Sequence, residues 1–140
     1  MTSELAVDTV RLDAETRNHF LTLKRRTGIE NWNVLARWAF CTSIQDDAPL
    51  RQRQEKGLGA IEMTWRTFGG EAEGVYMALL RARCEVGGDA LTRDSLSESL
   101  RGHIARGAAR LVGKRQMKTI SEFIATVQSD NLVRPKTNRG

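Results

Sequence analysis

"DTVRLDAETRNHFLTLKRRTGIENWNVLARWAFCTSI", residues 8–44, sets the fold. Val10 and Leu12 alternate with Thr9 and Arg11, the period of a short half-buried strand. Asp13 stands where a helix N-cap belongs, and Thr16, Phe20, Leu23 and Thr27 then recur on one face of a helix through about Thr27. Lys24, Arg25 and Arg26 fill its last turn, where cations offset the negative end of the helix dipole, and Gly28 is a natural left-handed stop. A second helix from about Asn33 to Ser43 carries Val34, Leu35, Trp38, Ala39, Phe40, Cys41 and Ile44 around nearly its whole circumference.

A helix apolar on all sides is buried, and in a chain of this size that points to a subunit interface, with Arg37, Trp38 and Phe40 as structural or interface residues. Arg37, the one charge on that helix, needs a carboxylate or backbone carbonyls if it is buried. The order strand, helix, glycine turn, helix over residues 8–44 is that of a ribbon-helix-helix (Met repressor-like) unit, whose two chains pair their strands. That reading predicts an obligate homo-oligomer.

Beyond Ile44 the chain reads as a small helical bundle, so the fold class is mainly α. "QDDAPLRQRQEKGLG", residues 45–59, is a polar connection long enough to be mobile or to wrap a partner. Ile61, Met63 and Trp65 alternate with Glu62, Thr64 and Arg66 as a second short extended piece. A helix from about Glu73 to Val86 reads as core through Tyr76, Leu79, Leu80 and Arg83, and Gly87-Gly88 closes it. The next helix, about Asp94 to Val112, has two unlike faces. Leu100, Ile104, Ala108 and Leu111 form an apolar stripe, and Arg106, Arg110 and Lys114 follow at i, i+4 and i+8 on the other side. Like charges so spaced repel, so they suggest an anion, while Gly107 suits a close approach of backbone or phosphate. "TISE", residues 119–122, fits a capping box opening a short helix with Ile120, Phe123, Ile124 and Val127 inward. Residues 1–128 are expected to form one domain, and residues 129–140 a basic, loosely ordered tail.

The 140 residues carry a net charge of +5, unevenly placed: residues 101–140 hold nine Lys and Arg against Glu122 and Asp130. Of the 22 basic residues 17 are arginine, whose planar fork matches phosphate oxygens in pairs. A polyanion is therefore the first partner to test, with Lys24, Arg25, Arg26, Arg106, Arg110 and Lys114 as candidate anion contacts, which the family resemblance described next assigns to DNA. No apolar run spans a bilayer and the N-terminus lacks a signal-peptide pattern, so a soluble, cytoplasmic protein is expected. Cys41 and Cys84 have neither disulfide-framework nor metal spacing, and no cofactor motif is present. A sulfur-carrying thiolate at either cysteine, assisted by His19 or His103, is the weakest reading, because both cysteines sit in apolar helical patterns.

"RLDAETRNHFLTLKRRTGI", "LARWAFCTSI", "TFGGEAEGVYMALLRAR" and "LRGHIARGAARLVGKRQMKTISEFI" together resemble the DndE family, the small subunit of the bacterial DNA phosphorothioation system, over most of residues 11–124. The resemblance implies a non-catalytic DNA-binding subunit that engages duplex DNA, including nicked DNA, beside DndC-like and DndD-like subunits. It favours a homotetramer and supplies no catalytic motif. The alternative is a ribbon-helix-helix transcriptional repressor reading bases through Thr9 and Arg11.

Overall fold

Residues 8–13 do form a strand, β1 (Thr9–Leu12), with Val10 and Leu12 buried. In the computed structural model, which describes residues 8–113, its partner lies in the same chain. β2 (Ile61–Thr64) runs antiparallel to it, Thr9 opposite Thr64 and Leu12 opposite Ile61. This edge of β1 is thus satisfied without the inter-chain pairing of a ribbon-helix-helix unit. The second extended piece stops before Trp65, which opens α3 (Trp65–Gly69), because Thr64 Oγ accepts from Thr67 N at 3.0 Å and caps a helix there.

Asp13 closes β1 and starts α1 (Ala14–Thr27), its Oδ1 accepting from Thr16 N at 3.0 Å. Thr16, Phe20, Leu23 and Thr27 are the buried residues of α1, the four that the helical spacing selects. Gly28 ends it at φ 80°, its N–H donating to Lys24 O at 2.9 Å, a conformation that strains any residue with a Cβ.

α2 (Trp32–Ile44) follows, and its apolar circumference is explained mostly within the chain. α5 (Arg93–Gly113) packs antiparallel along one side, with Ser43 against His103 and Ala39 against Gly107. α3 and α4 (Glu73–Val86) take another side: Phe40, fully buried, meets Phe68 and Tyr76 edge-on at 5.9 and 5.8 Å. Phe40 therefore packs in the core of its own chain, the structural one of the two roles expected for it. Arg37 and Trp38 are half-buried, and Arg37 Nε donates to Asn33 O at 3.3 Å, one of the two solutions expected for that charge.

α4 departs from the expectation of a core helix. Leu80 and Cys84 are buried, whereas Val75, Leu79 and Val86 are 60%, 41% and 85% exposed. The helix lies at the edge of the bundle, where neighbours reach one side of it only.

Residues 45–60 are irregular but tied down, not loose. Arg53 pairs with the Asp13 carboxylate, Arg101 Nε donates to Glu55 at 2.8 Å, and Ala14 N donates to Lys56 O at 3.0 Å. Leu50 lies over Gly102, where a Cβ would come within 2.8 Å of its Cδ1. No helix among the described residues is long and apolar enough to cross a membrane. Lys114, the short helix expected from Thr119 and the basic tail lie outside the described residues.

Candidate nucleic-acid interface

Successive residues of a helix point about 100° apart, so Lys24, Arg25 and Arg26 cannot share one task. Lys24 Nζ lies 4.7 Å from the centre of the Trp32 ring, which itself stacks on Phe20 at 6.1 Å. Arg25 is exposed and meets no partner among the described residues. Arg26 turns inward, its Nη1 donating to Val112 O at 2.8 Å. Of the three, Lys24 and Arg25 present charge outward.

They are joined by two residues absent from the candidate set. Arg17 and Asn18 are exposed on α1, seven residues before Lys24 and Arg25 respectively, which puts all four on one face. The i, i+7 spacing is a signal the sequence holds. Among the described residues the Arg17 guanidinium, like that of Arg25, is engaged by no carboxylate.

The basic row on α5 is divided as well. Arg106 is bent over the C-terminus of α2, with Nε donating to Ser43 Oγ at 2.8 Å, Nη2 to Ser43 O at 3.0 Å and Nη1 to Ala48 O at 2.8 Å. Arg83 from α4 converges on the same terminus, bonding Ile44 O and Asp46 O. Helix ends leave several carbonyls without partners, and two guanidinium forks meet that need here. Arg110 pairs with Asp46 at 2.6 Å and is part-exposed, and Lys114 is not among the described residues. Arg106 therefore does not stand beside Arg110 as a free phosphate contact. Gly107 has the backbone reason for being glycine, since α2 crosses it at Ala39.

His103 completes the hub, 2% exposed, with Nδ1 2.8 Å from Ser43 Oγ. Because Ser43 Oγ accepts from Arg106, its own proton is available to Nδ1, an arrangement that suits a neutral imidazole. Burial, and then the Arg106 and Arg83 charges, push the His103 pKa down to about 4. The unfolded chain takes up this proton near the ordinary 6.5 while the folded one resists until about 4. Stability linked to His103 is thus complete above pH 6.5 and is lost as pH falls towards 4, by up to about 3 kcal/mol. Denaturation curves taken between pH 4 and 7 should show this fall, and His103→Gln should flatten it.

Neither cysteine fits a reactive thiolate. Burial raises the thiol pKa of half-buried Cys41, and of Cys84 at 1% exposure. His19 keeps one ring nitrogen, Nδ1, buried with no hydrogen-bond partner among the described residues. It lines a cleft of about 680 Å³ between α1, residues 48–53 and α5. Two of the arginines that line it meet carboxylates, Arg53 at Asp13 and Arg110 at Asp46. No group of three or more His, Cys, Asp or Glu among the described residues could hold a metal ion.

The Arg26–Val112 bond sets Val112 of α5 beside the basic turn of α1.

Residues 9–119 match the family of the DNA sulphur modification protein DndE. Among solved structures the chain is similar to DndE from Escherichia coli B7A, involved in DNA phosphorothioation modification. The identity is 24%, over 74% of this chain and 95% of that one, with a TM-score of 0.64. A DndE mutant involved in DNA phosphorothioation is similar at 21% identity, 76% and 97% coverage and a TM-score of 0.61. At these identities the two structures carry the fold. No curated protein matches the chain by sequence.

Proposed function

Since this chain belongs to the DndE family of DNA sulphur modification proteins, we propose that it is a non-catalytic DNA-binding subunit of a phosphorothioation complex. It would hold the backbone of duplex DNA, nicked DNA included, beside DndC-like and DndD-like subunits in the cytoplasm. The observation that carries this reading is the outward face of α1. There Arg17 and Arg25 extend with no carboxylate partner among the described residues, and Lys24 is held over Trp32. Several other arginines of the bundle are taken up by carboxylates or backbone carbonyls. Cations left without an internal partner are the ones available to phosphate.

Phosphate contacts of this kind release counterions, about 0.9 in the slope of log affinity against log salt for each charge on duplex DNA. Replacing Lys24 and Arg25 together by Gln is expected to weaken duplex binding and to make that slope shallower by up to about 2 per contacting copy. The loss should be equal on unrelated sequences, since phosphates carry no base information. Titrations of random, nicked and single-stranded DNA at several salt concentrations read all of this. An unchanged slope in a folded variant would move the DNA path away from α1.

The repressor reading is less favoured. β1, which would carry the base-reading Thr9 and Arg11, is paired with β2, and Arg11 Nε meets Glu62 across the ladder at 2.6 Å. The reading of the chain as no enzyme is supported by the two thiols, which burial holds in the protonated form.

Self-association belongs to the same proposal, on a surface different from the one expected. Val75, Leu79 and Val86 fall on one face of α4 at i, i+4 and i+11 and are exposed. Apolar rows of this kind mark contact surfaces. Leu79→Glu should shift light scattering at micromolar concentration towards the monomer without loss of helical signal. An unshifted oligomer would place the contact elsewhere.

A further inference from the structure

Lys24 meets an aromatic ring where Arg26, two residues on, meets a backbone carbonyl. The ring belongs to Trp32, the first residue of α2, which the turn at Gly28 brings back against α1. Phe20 and Lys24 stand four residues apart on adjoining turns of one side of α1, and the indole meets both. It stacks on Phe20 with ring centres 6.1 Å apart and planes inclined by 28°, and Lys24 Nζ lies 4.7 Å from its centre. Phe20 is fully buried, so the half-buried indole is anchored to the core of the protein.

We propose that Trp32 is a positioning residue for the phosphate contact of Lys24, its indole holding the ammonium in place without neutralising it; this rests on the DNA-binding reading above. A carboxylate could fix a lysine as well, but it would cancel the charge, and an incoming phosphate would have to displace it. The face of an indole attracts a cation through its quadrupole and carries no net charge, so the field of Lys24 towards a phosphate stays whole. A lysine head rides on a flexible four-carbon stem, and ordering such a side chain at the moment of binding costs affinity. Contact with the ring takes up part of that ordering in the free protein. The core thereby reaches the DNA-facing side of α1 through three side chains, Phe20, Trp32 and Lys24.

A double-mutant cycle on the full chain, with random duplex DNA as the probe, tests this. Trp32→Leu is expected to weaken duplex binding about threefold, and Trp32→Phe, which keeps an aromatic face, by less. Added to Lys24→Gln, Trp32→Leu should cost nothing further, whereas in an Arg25→Gln background it should again cost about threefold. A merely structural role would cost the same in both backgrounds. A loss that persists in Lys24→Gln, or no loss from Trp32→Leu alone, would overturn the proposal. A second measurement needs neither substitution nor DNA. In NMR spectra of the full chain the ε-methylene protons of Lys24 should be shifted upfield by the ring current and show cross-relaxation with the Trp32 ring protons. Ordinary shifts without cross-relaxation would overturn the proposal whatever the binding results. If the ring contact is seen while Lys24→Gln leaves duplex binding unchanged, the DNA contact of Lys24 falls and the proposal with it, so the two failures are told apart.

Discussion

Gly107→Ala is expected to cost about 3 kcal/mol, a fall on the order of 10 °C in Tm. In an open helix the same change is favourable by roughly 1 kcal/mol, because alanine is the better helix former. Here a Cβ would overlap the carbonyl oxygen of Ala39 and come within 2.8 Å of its Cα. Those are backbone atoms in the middle of α2, so no rotamer change relieves the contact and the two helices must separate. α2 and α5 share Leu35, Phe40, Leu100, Ile104 and Leu111 in the core, and separating them loosens packing on both. Gly74→Ala on α4 is the control, since nothing lies within 4 Å of that position. It should be neutral or stabilising by up to about 1 kcal/mol. Thermal or urea denaturation of the two variants therefore reads opposite signs from one substitution chemistry, and equal signs would refute the close crossing.

Arg106→Gln is expected to destabilise by about 3 kcal/mol, since hydrogen bonds to charged groups contribute roughly 1.5–3 kcal/mol each and do not add fully. Gln is too short to reach Ser43 Oγ, Ser43 O and Ala48 O together, and it leaves Arg83 alone at the end of α2. Arg110→Gln, four residues on, breaks a part-exposed pair with Asp46 and should cost less than about 1 kcal/mol. The damage in Arg106→Gln should centre on residues 45–56, where amide exchange and cleavage after Arg51 or Arg53 should accelerate. Where the variant is folded, the salt slope of DNA binding should stay as in the parent. If instead stability is unchanged and the slope falls by about 0.9, Arg106 faces phosphate and the hub has been misread.

How much could be seen beforehand follows from the range of each interaction. β1, the Asp13 cap, the four buried residues of α1, the Gly28 stop and the stripe of α5 are all settled by neighbours within one or two turns. Each of these was legible in the pattern of residues. The alternation runs through Arg66, two residues beyond the end of β2, because the Thr64 cap turns the chain into a helix where the pattern continues.

What periodicity could not supply was the identity of the surface each face meets. A helix apolar all round and needed at a subunit contact looks the same in sequence as one sandwiched by α5 and α3–α4 of its own chain. Spacing also cannot tell a core helix from an edge helix, hence the exposed Val75, Leu79 and Val86 of α4. Charge is the sharpest case. Lys24, Arg25, Arg26, Arg106 and Arg110 are equal in charge, and their roles part only when distant segments come to rest beside them. Arg26 meets Val112, 86 residues away, and Arg106 meets Ser43, 63 residues away. The sequence by itself determined the local elements, the basic character and the family. The tertiary structure decided which cations cap helices and which find no carboxylate among the described residues, because a guanidinium bonds to the open carbonyls and carboxylates that folding brings within its reach.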